Sequence, residues 1–558
     1  MIECVPNFSE GRDLGIIRQI TARIESVEGA TLLHVDPGKA TNRTVVTFAG
    51  VPEAVVEGAF RAIAEAAVLI DMRKHSGEHP RMGATDVCPL IPISGITMEE
   101  TAELARRLAE RVGRELGIPT YLYEAAQPNP ARKNLAVIRA GEYEGLEHKM
   151  KASAWAPDFG PSMFNAQAGA TVIGARDFLV AFNVNLNTTS TRRANAIAFD
   201  VREIGRPKRE GHPLTGKVVT DASGQPVMVP GTLASVKAIG WYIEEYGIAQ
   251  VSMNLTDLGR TPLHAAFDEV CRAAEARGVR VTGSELVGLV PLGAMLDAGR
   301  HFLRKQRRSL GVSEEELIKI AVSSLGLHEL APFKPEERII EFRLRDTGRS
   351  RLVGLSVRAF ANETAAESAA PGGGSVAAAV GALGAALGTM VANLSAHKRG
   401  WDERWAEFSE WAERGQRIKE DLLALVDEDT RAFDRVLTAL AMPKGTDAEK
   451  AARSAALADA NLGALEVPAR VMRTAFAAFD LIREMAAQGL PASASDAGVG
   501  ALCVRAAVRG AWLNVRTNAG GVKDRSRIEG ILAEGEKLDR EAAEREAEIL
   551  AIVERKFS

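Results

Sequence analysis

The sequence predicts a two-part molecule: an α/β half arranged as a sandwich of two subdomains, then an all-α helical bundle. Three observations carry that prediction. Strand-like and helix-like segments alternate up to about residue 343, the pattern of layered α/β structure. From about residue 354 strand patterns vanish, and Ala, Glu, Leu and Arg dominate. The chain has 558 residues, and at ~100–200 residues per domain it is too long for one core. The boundaries that follow are 1–178 and 179–326 for the two α/β subdomains, 327–352 for a short charged linker, and 353–558 for the bundle.

In chain order, 13–27 carries apolar residues at helical spacing (Leu14, Ile17, Ile20, Ile24, Val27), and 55–70 and 98–116 repeat that pattern. Strands are expected at 31–36, 43–50, 86–93 and 120–123. A long loop at 148–170 separates the subdomains. Strands at 179–186, 249–255 and 279–282 follow, with helices at 192–204 and 264–277. The Gly- and Pro-rich stretch 206–231 reads as an inserted surface hairpin.

Hydrophobic residues make up 46% and charged residues 25%, and the net charge is −4. That balance gives no case for nucleic acid or an anionic membrane. Cys4, Cys88, Cys271 and Cys503 are scattered singly, which reads as buried thiols in a reducing compartment. MIECVPNFSEGRD has neither the basic nor the apolar region of a signal peptide. The Ala- and Gly-rich run 376–392 falls short of the ~18 strongly apolar residues of a membrane span and is expected to be a buried helix. A cytoplasmic protein is the expectation.

The segment GEHPRMGATDVCPLIP (77–92) sets a histidine and an arginine in a Gly/Pro loop ahead of a buried strand. His75 and His79 are four apart, but Gly77 and Pro80 break a helix through them and no third ligand follows, so no metal is predicted. The readings left for His79 are a structural histidine and a group exchanging protons near neutrality. Polar clusters fall where strands should end: Asn7, Ser9, Glu10 and Gly11 in one, Asp36, Thr41, Asn42 and Arg43 in another. Asn183 and Asn185 share one strand face and are candidates for the edge of a heterocycle. Each cluster taken alone also fits a turn or a cap.

Taken together, IECVPNFSEGRD (2–13), DPGKATNRTVVTF (36–48), GEHPRMGATDVCPLIP, APDFGP (156–161) and FNVNL (182–186) resemble the glutamate formimidoyltransferase family, from residue 2 to about 343. The 206–231 insertion departs from that pattern. The resemblance implies transfer of a formimino group from N-formimino-L-glutamate to nitrogen 5 of tetrahydrofolate, a co-substrate. It puts the general acid on His79. Asp36 is the candidate to orient that imidazole. Arg43 and Arg81 are candidates for the substrate carboxylates. The family's folate loop falls on Gly160, Pro161, Ser162, Met163, Phe164, Asn165, Ala166, Gln167, Ala168 and Gly169.

In the second half, APGGGS (370–375) is a flexible loop feeding a helix, and the amides of Gly372, Gly373, Gly374 and Ser375 can hold an anion. Gly381, Gly384 and Gly388 each cost helix propensity, about 1 kcal/mol relative to Ala, which suits a closely crossing helix. Asp427, Glu428 and Asp429 form an acidic trio; such a trio is ordinarily a wet surface, but 427 and 429 point to different sides of a helix. Asn514 and Asn518, four apart, share a helix face. With MPKGT (442–446) and SDAGV…GAWLNVRTN (495–518), these segments resemble formimidoyltetrahydrofolate cyclodeaminase over about 353–558. The whole chain thus resembles the fused, bifunctional formimidoyltransferase-cyclodeaminases. The resemblance puts the second catalytic acid on Asp429, and Lys444 is a candidate for the folate's polyglutamate tail. It implies closure to 5,10-methenyltetrahydrofolate with loss of ammonia, in histidine degradation and one-carbon metabolism. It also implies a homo-oligomer with dimerising helical domains. The alternative is a transferase whose helical half only assembles subunits.

Overall fold

The computed structural model describes every residue except 39–41, 78–79, 212–215, 245, 345–351, 368–370, 523 and 558. The chain divides into two compact units: Met1–Ala298 with Ala321–Arg345, and Gly299–Ile320 with Asp346–Ser558. The expected pairing of an α/β half with an all-α bundle is what these units contain.

The first unit holds two main sheets. β1 (Ile2–Cys4), β2 (Asn7–Phe8), β3 (Ala30–Gly38), β4 (Arg43–Gly50), β5 (Thr85–Pro92), β6 (Thr120–Glu124) and β7 (Thr171–Ala175) form the first. Its order is β1-β4-β2-β5-β7-β6 with β3 on the outer side of β4. Only β5–β7 and β6–β7 are parallel. Helices α1 (Leu14–Glu25), α2 (Pro52–Leu69) and α3 (Met98–Leu116) cover one face. Local chemistry sets their ends. The Asp13 carboxylate accepts from the amides of Gly15 and Ile16, Pro52 starts α2, and Thr97 and Glu100 close a capping box that begins α3. The stripe Ile17, Ile20, Ile24 is buried against the sheet, as its spacing predicts. Two short helices, α4 (Leu135–Arg139) and α5 (Glu142–Met150), follow β6.

The second sheet comprises β8 (Val180–Leu186), with β9 (Arg206–Pro207) and β10 (Met228–Val229) outside it as a small ribbon, then β11 (Val236–Ile243), β12 (Ile248–Leu255) and β13 (Val281–Val287). Its order is β11-β12-β8-β13, all antiparallel. α6 (Thr191–Val201) and α7 (Leu263–Glu275) lie along it. The β9–β10 pair and the bridges Arg209↔Val218 and Thr220↔Pro226 make 206–231 the expected hairpin.

Two expected boundaries are corrected. Residues 327–344 are not linker. After α8 (Leu292–Lys305) and α9 (Glu314–Leu325) come α10 (Pro335–Arg338) and α11 (Ile340–Leu344); Ile339 and Ile340 are buried, and Ile340 packs with Leu33 and Ala49. The amide of Ile340 also donates to the Val290 carbonyl, which ties the segment to the first unit. Residues 299–320, expected in the second α/β subdomain, belong to the helical unit. There the Ser409 hydroxyl accepts from the Leu310 amide, and the Gly311 carbonyl accepts from Asn393 and Gln416.

The helical unit continues with α12 (Val357–Thr364), α13 (Gly373–Ala396), α14 (Trp405–Ala441), α15 (Asp447–Phe476), α16 (Ala478–Gln488), α17 (Ala494–Ala519) and α18 (Glu529–Glu554). α13 is its central helix. A methyl at Gly384 would press on Val504 and on the Gly500 carbonyl of α17, and one at Gly388 on Leu481 and Ile482. The glycines that weaken α13 as an isolated helix thus let its neighbours approach closely. α13 is also the single helix among the described residues long and apolar enough to cross a membrane, and 61% of its most apolar window is buried inside the bundle.

Candidate active sites

The first unit encloses a cavity of about 900 Å³. The two-residue period of the strands selects its lining. Ile2, Cys4, Phe8, Val46, Phe48, Cys88 and Leu90 point to the helices. The alternate residues Glu3, Asn7, His34, Asp36, Arg43 and Thr47 face the cavity. The second sheet contributes Ala181, Lys237 and Val287.

Two guanidiniums on this wall converge on one carboxylate. Asp86 is fully buried and accepts from Arg43 Nη1 at 2.6 Å and from Arg139 Nη2 at 2.5 Å. Asn7 Oδ1 accepts from Arg43 Nε and Nη2 at 3.0 and 2.7 Å. Burial pushes the Arg43 guanidinium below its ordinary range, against the pull of Asp86. Glu3 stands between apolar neighbours in β1; burial raises its carboxyl to about 7, against the opposing pull of Arg176. Burial lowers His34, with Asp36 two residues on opposing the shift.

Asp36 and Arg43 line this cavity, whereas Arg81 does not. Its guanidinium, expected to take a substrate carboxylate, is bound here by Glu142 at 3.0 Å and by Glu144 at 2.5 Å, both on α5. Arg81 Nε donates to His75 Nδ1, which leaves the proton on His75 Nε2, donated in turn to the Asn42 carbonyl at 2.8 Å. His75 is therefore a structural histidine. The amide side chain of Asn42 joins Gly11 to Ser76, anchoring the segment that leads to position 79. His79 itself lies outside the described residues.

Asn183 and Asn185 also stay away from the cavity. Asn185 is fully buried, donates to Glu329 at 2.7 Å and accepts from Gln250 at 2.8 Å. Asn183 Nδ2 donates to Glu285 at 3.4 Å. Both amides, expected to meet the edge of a heterocycle, are engaged with strand and loop neighbours. The loop 160–169 lies beside the segment 82–84 and not in the cavity lining. Gly169 has a φ of +68°, and a Cβ there would strike the Met82 carbonyl. Asn165 Oδ1 accepts from the amides of Gln167 and Ala168, Tyr143 packs on Phe164, and Met163 is 78% exposed.

In the helical unit two motifs 54 residues apart meet. Ser375 Oγ, in the first turn of α13, donates to Asp429 Oδ2 on α14 at 2.9 Å. Gly374 sits against that carboxylate so closely that a Cβ would overlap it, and a Cβ on Gly373 would stand 3.2 Å from Asn514 Nδ2. Burial raises Asp429 above the usual carboxylate range, opposed by its Ser375 hydrogen bonds. The other acids of the trio have separate tasks. Asp427 accepts from the Leu352 amide, and Glu428 pairs with Arg470. Asn518 shares a helix face with Asn514 but donates to the Ala464 carbonyl. Lys444 lines a separate cavity of about 530 Å³ with Lys450, Arg453 and Arg527. Among the described residues no group of three His, Cys, Asp or Glu side chains is placed to hold a metal ion.

Family models match three stretches: Formiminotransferase domain, N-terminal subdomain, over 1–176; Formiminotransferase domain over 181–345; and Formiminotransferase-cyclodeaminase over 356–537. The formimidoyltransferase-cyclodeaminase of Rattus norvegicus is 44% identical over 96% of each chain. The chain belongs to the formimidoyltransferase-cyclodeaminase family. Single-activity relatives match parts of it. A glutamate formimidoyltransferase of Streptococcus pyogenes is 40% identical over 54% of this chain and 93% of its own. A methenyltetrahydrofolate cyclohydrolase of Methylorubrum extorquens is 37% identical over 33% of this chain and 92% of its own. Like its family, the protein is a bifunctional enzyme, and a purely structural helical half is not favoured.

Within this family member, Glu3, His34, Asp86 and Arg139 stand at the first site without having been singled out in the sequence. Glu3 left one signal, a charge in an otherwise apolar strand. Arg139 left none, because it sits in an unremarkable helix and reaches a carboxylate 53 residues away.

Proposed function

We propose that the first unit transfers the formimino group from N-formimino-L-glutamate to nitrogen 5 of tetrahydrofolate, and that the second closes the product to 5,10-methenyltetrahydrofolate and ammonia. In the first step nitrogen 5 attacks the amidine carbon, a tetrahedral adduct forms, and glutamate's amine leaves as it takes a proton. His79 supplies that proton and Asp36 holds the charge of the imidazole. Arg43 and the loop 160–169 serve the substrate carboxylate and the folate. In the second step nitrogen 10 attacks the carbon of the protonated formimino group and nitrogen 5 keeps it, while the former imine nitrogen departs as ammonia and the positive charge stays on the methenyl product. Asp429 takes the proton of nitrogen 10 and passes it to that leaving nitrogen.

The observation that carries the reading is the Asp429 carboxylate held by Ser375 at the first turn of α13, where Gly373 remains exposed. A carboxyl raised by burial is suited to both halves of a proton relay. The amides of Gly372, Gly373 and Gly374 offer the folate's anionic end a helix N-terminus. The cationic wall formed by Lys444, Lys450, Arg453 and Arg527 supports a place for a polyglutamate tail.

Self-association belongs to the same reading. Leu383, Met390 and Leu394 on α13, and Val499, Leu502 and Leu513 on α17, are exposed apolar residues at helical spacing, suited to a second copy of the bundle. Four cysteines without a disulfide agree with a reducing, cytoplasmic setting. The test is incubation with formiminoglutamate and tetrahydrofolate, following glutamate, ammonia and methenyl absorbance. All three are expected in equal amounts; glutamate without ammonia would leave the transferase alone.

A further inference from the structure

Two guanidiniums share one buried carboxylate on the wall of the first cavity. Asn7 pairs with Val87 and Phe8 with Thr85, so Asp86 is the extra residue of a β-bulge, a device that re-aims a side chain. It accepts from Arg43 Nη1, from Arg139 Nε and Nη2, and from the Met82 amide. Arg43 is further tied to Asn7 by two hydrogen bonds. Arg139 differs. It lines the cavity, its side chain is 14% exposed, and its Nη1 donates to no partner among the described residues. The cluster therefore holds two positive charges against one negative, with an open guanidinium edge on the cavity side.

The geometry points to Arg139 as the residue that binds one carboxylate of the glutamate substrate, with Asp86 as its positioning residue. The inference rests on the transferase reading above. Asp86 fixes the Nε/Nη2 edge, so the plane of the guanidinium is set before substrate arrives. A carboxylate meeting Nη1 then makes charge-assisted hydrogen bonds without ordering a long, free side chain. Arg81 shows the opposite case: both of its outer nitrogens are already covered by glutamates.

The experiment measures transferase kinetics of the full-length enzyme and its Arg139→Ala and Arg139→Lys variants. The substrates are formiminoglutamate and its two mono-amide analogues, in which one carboxylate at a time becomes a carboxamide. Arg139→Ala should raise KM for formiminoglutamate by about 10- to 100-fold, the range for a hydrogen-bonded charge pair, and leave KM for tetrahydrofolate within ~3-fold. Arg139→Lys should recover part of the loss. One amide analogue should bind the wild type about as poorly as the parent binds Arg139→Ala, with little further loss when both changes are combined. Additive losses with both analogues, or equal rises in both KM values, would overturn the assignment. If Arg139→Ala fails to fold, the same coupling is read from Arg139→Lys. A wild type with no turnover would instead sink the substrate reading, and the inference with it.

Discussion

In the first unit, charged groups from several strands and a short helix converge on a cavity of about 900 Å³, and two of its guanidiniums share the buried Asp86 carboxylate. In the second, a single carboxylate meets the first turn of one helix, and packing leaves no room for a methyl group beside it. The difference follows from the two architectures. A sheet exposes every second residue of several strands to one side, so it builds broad polar walls from residues distant in sequence. A bundle core offers few polar positions, and the free amides of a helix start are among them. The first design suits two substrates that must be held together, the second a single molecule closing a ring on itself.

That contrast can be broken most sharply at Gly374. Gly374→Ala should displace the Asp429 carboxylate and cut ammonia release ~100-fold or more, the scale of a lost acid–base group. Glutamate release should be untouched. Gly372→Ala, where a Cβ meets open space, should cost little. Assaying both products from each variant decides it; equal losses in the two activities would mean the glycine serves only folding.

The next effect lies in the first unit and depends on pH. Glu3 titrates near 7 in the folded chain, above its ordinary value of 4.5, because burial disfavours its charge. The stability this group permits is complete below 4.5 and declines as pH rises through 7. Glu3→Gln should therefore be more stable than the wild type by about 3 kcal/mol above pH 8 and no more stable near pH 4.5. Urea melts at the two pH values measure it, and a pH-independent difference would contradict the assignment.

Arg81→Ala should cost about 1 kcal/mol of stability through its half-exposed partners Glu142 and Glu144. It should leave KM for formiminoglutamate within ~3-fold, unlike a change at Arg139. The smallest effect belongs to Lys444→Ala, expected to weaken binding of folates with long glutamate tails about 2- to 5-fold and to leave monoglutamyl folate alone. A tail-length series in the cyclisation assay measures it.

The two halves also differ in how far their sites are legible in the sequence. Asp429, the PGGGS turn and Asn514 were readable because each sits in a local motif whose helix geometry the residue spacing predicts. Of the cavity wall, Asp36 and Arg43 were readable as part of a polar cluster at expected strand ends, whereas the alternation that turns Glu3, His34 and Thr47 toward it was not used. The pairing of Arg81 with Glu142 and Glu144 was not readable, because they lie 61 and 63 residues away. Asn183 and Asn185 were correctly assigned to one buried face. Their partners, Gln250, Glu285 and Glu329, come from distant segments that no local pattern links to them. β1, β2 and β7 escaped for a related reason: they are only two to five residues long, too short for a period to show, and are held by pairing with neighbours.

The central claim is that one chain carries two independent proton-handling centres acting in series. Full-length His79→Ala and Asp429→Asn variants, assayed singly and mixed with glutamate, ammonia and methenyl-folate followed together, test it most directly. The account predicts that Asp429→Asn still releases glutamate but no ammonia, that His79→Ala releases neither, and that the mixture restores all three products. If Asp429→Asn also abolished glutamate release, or the mixture restored no ammonia and no methenyl-folate, the two centres would not be separate and the account would fail.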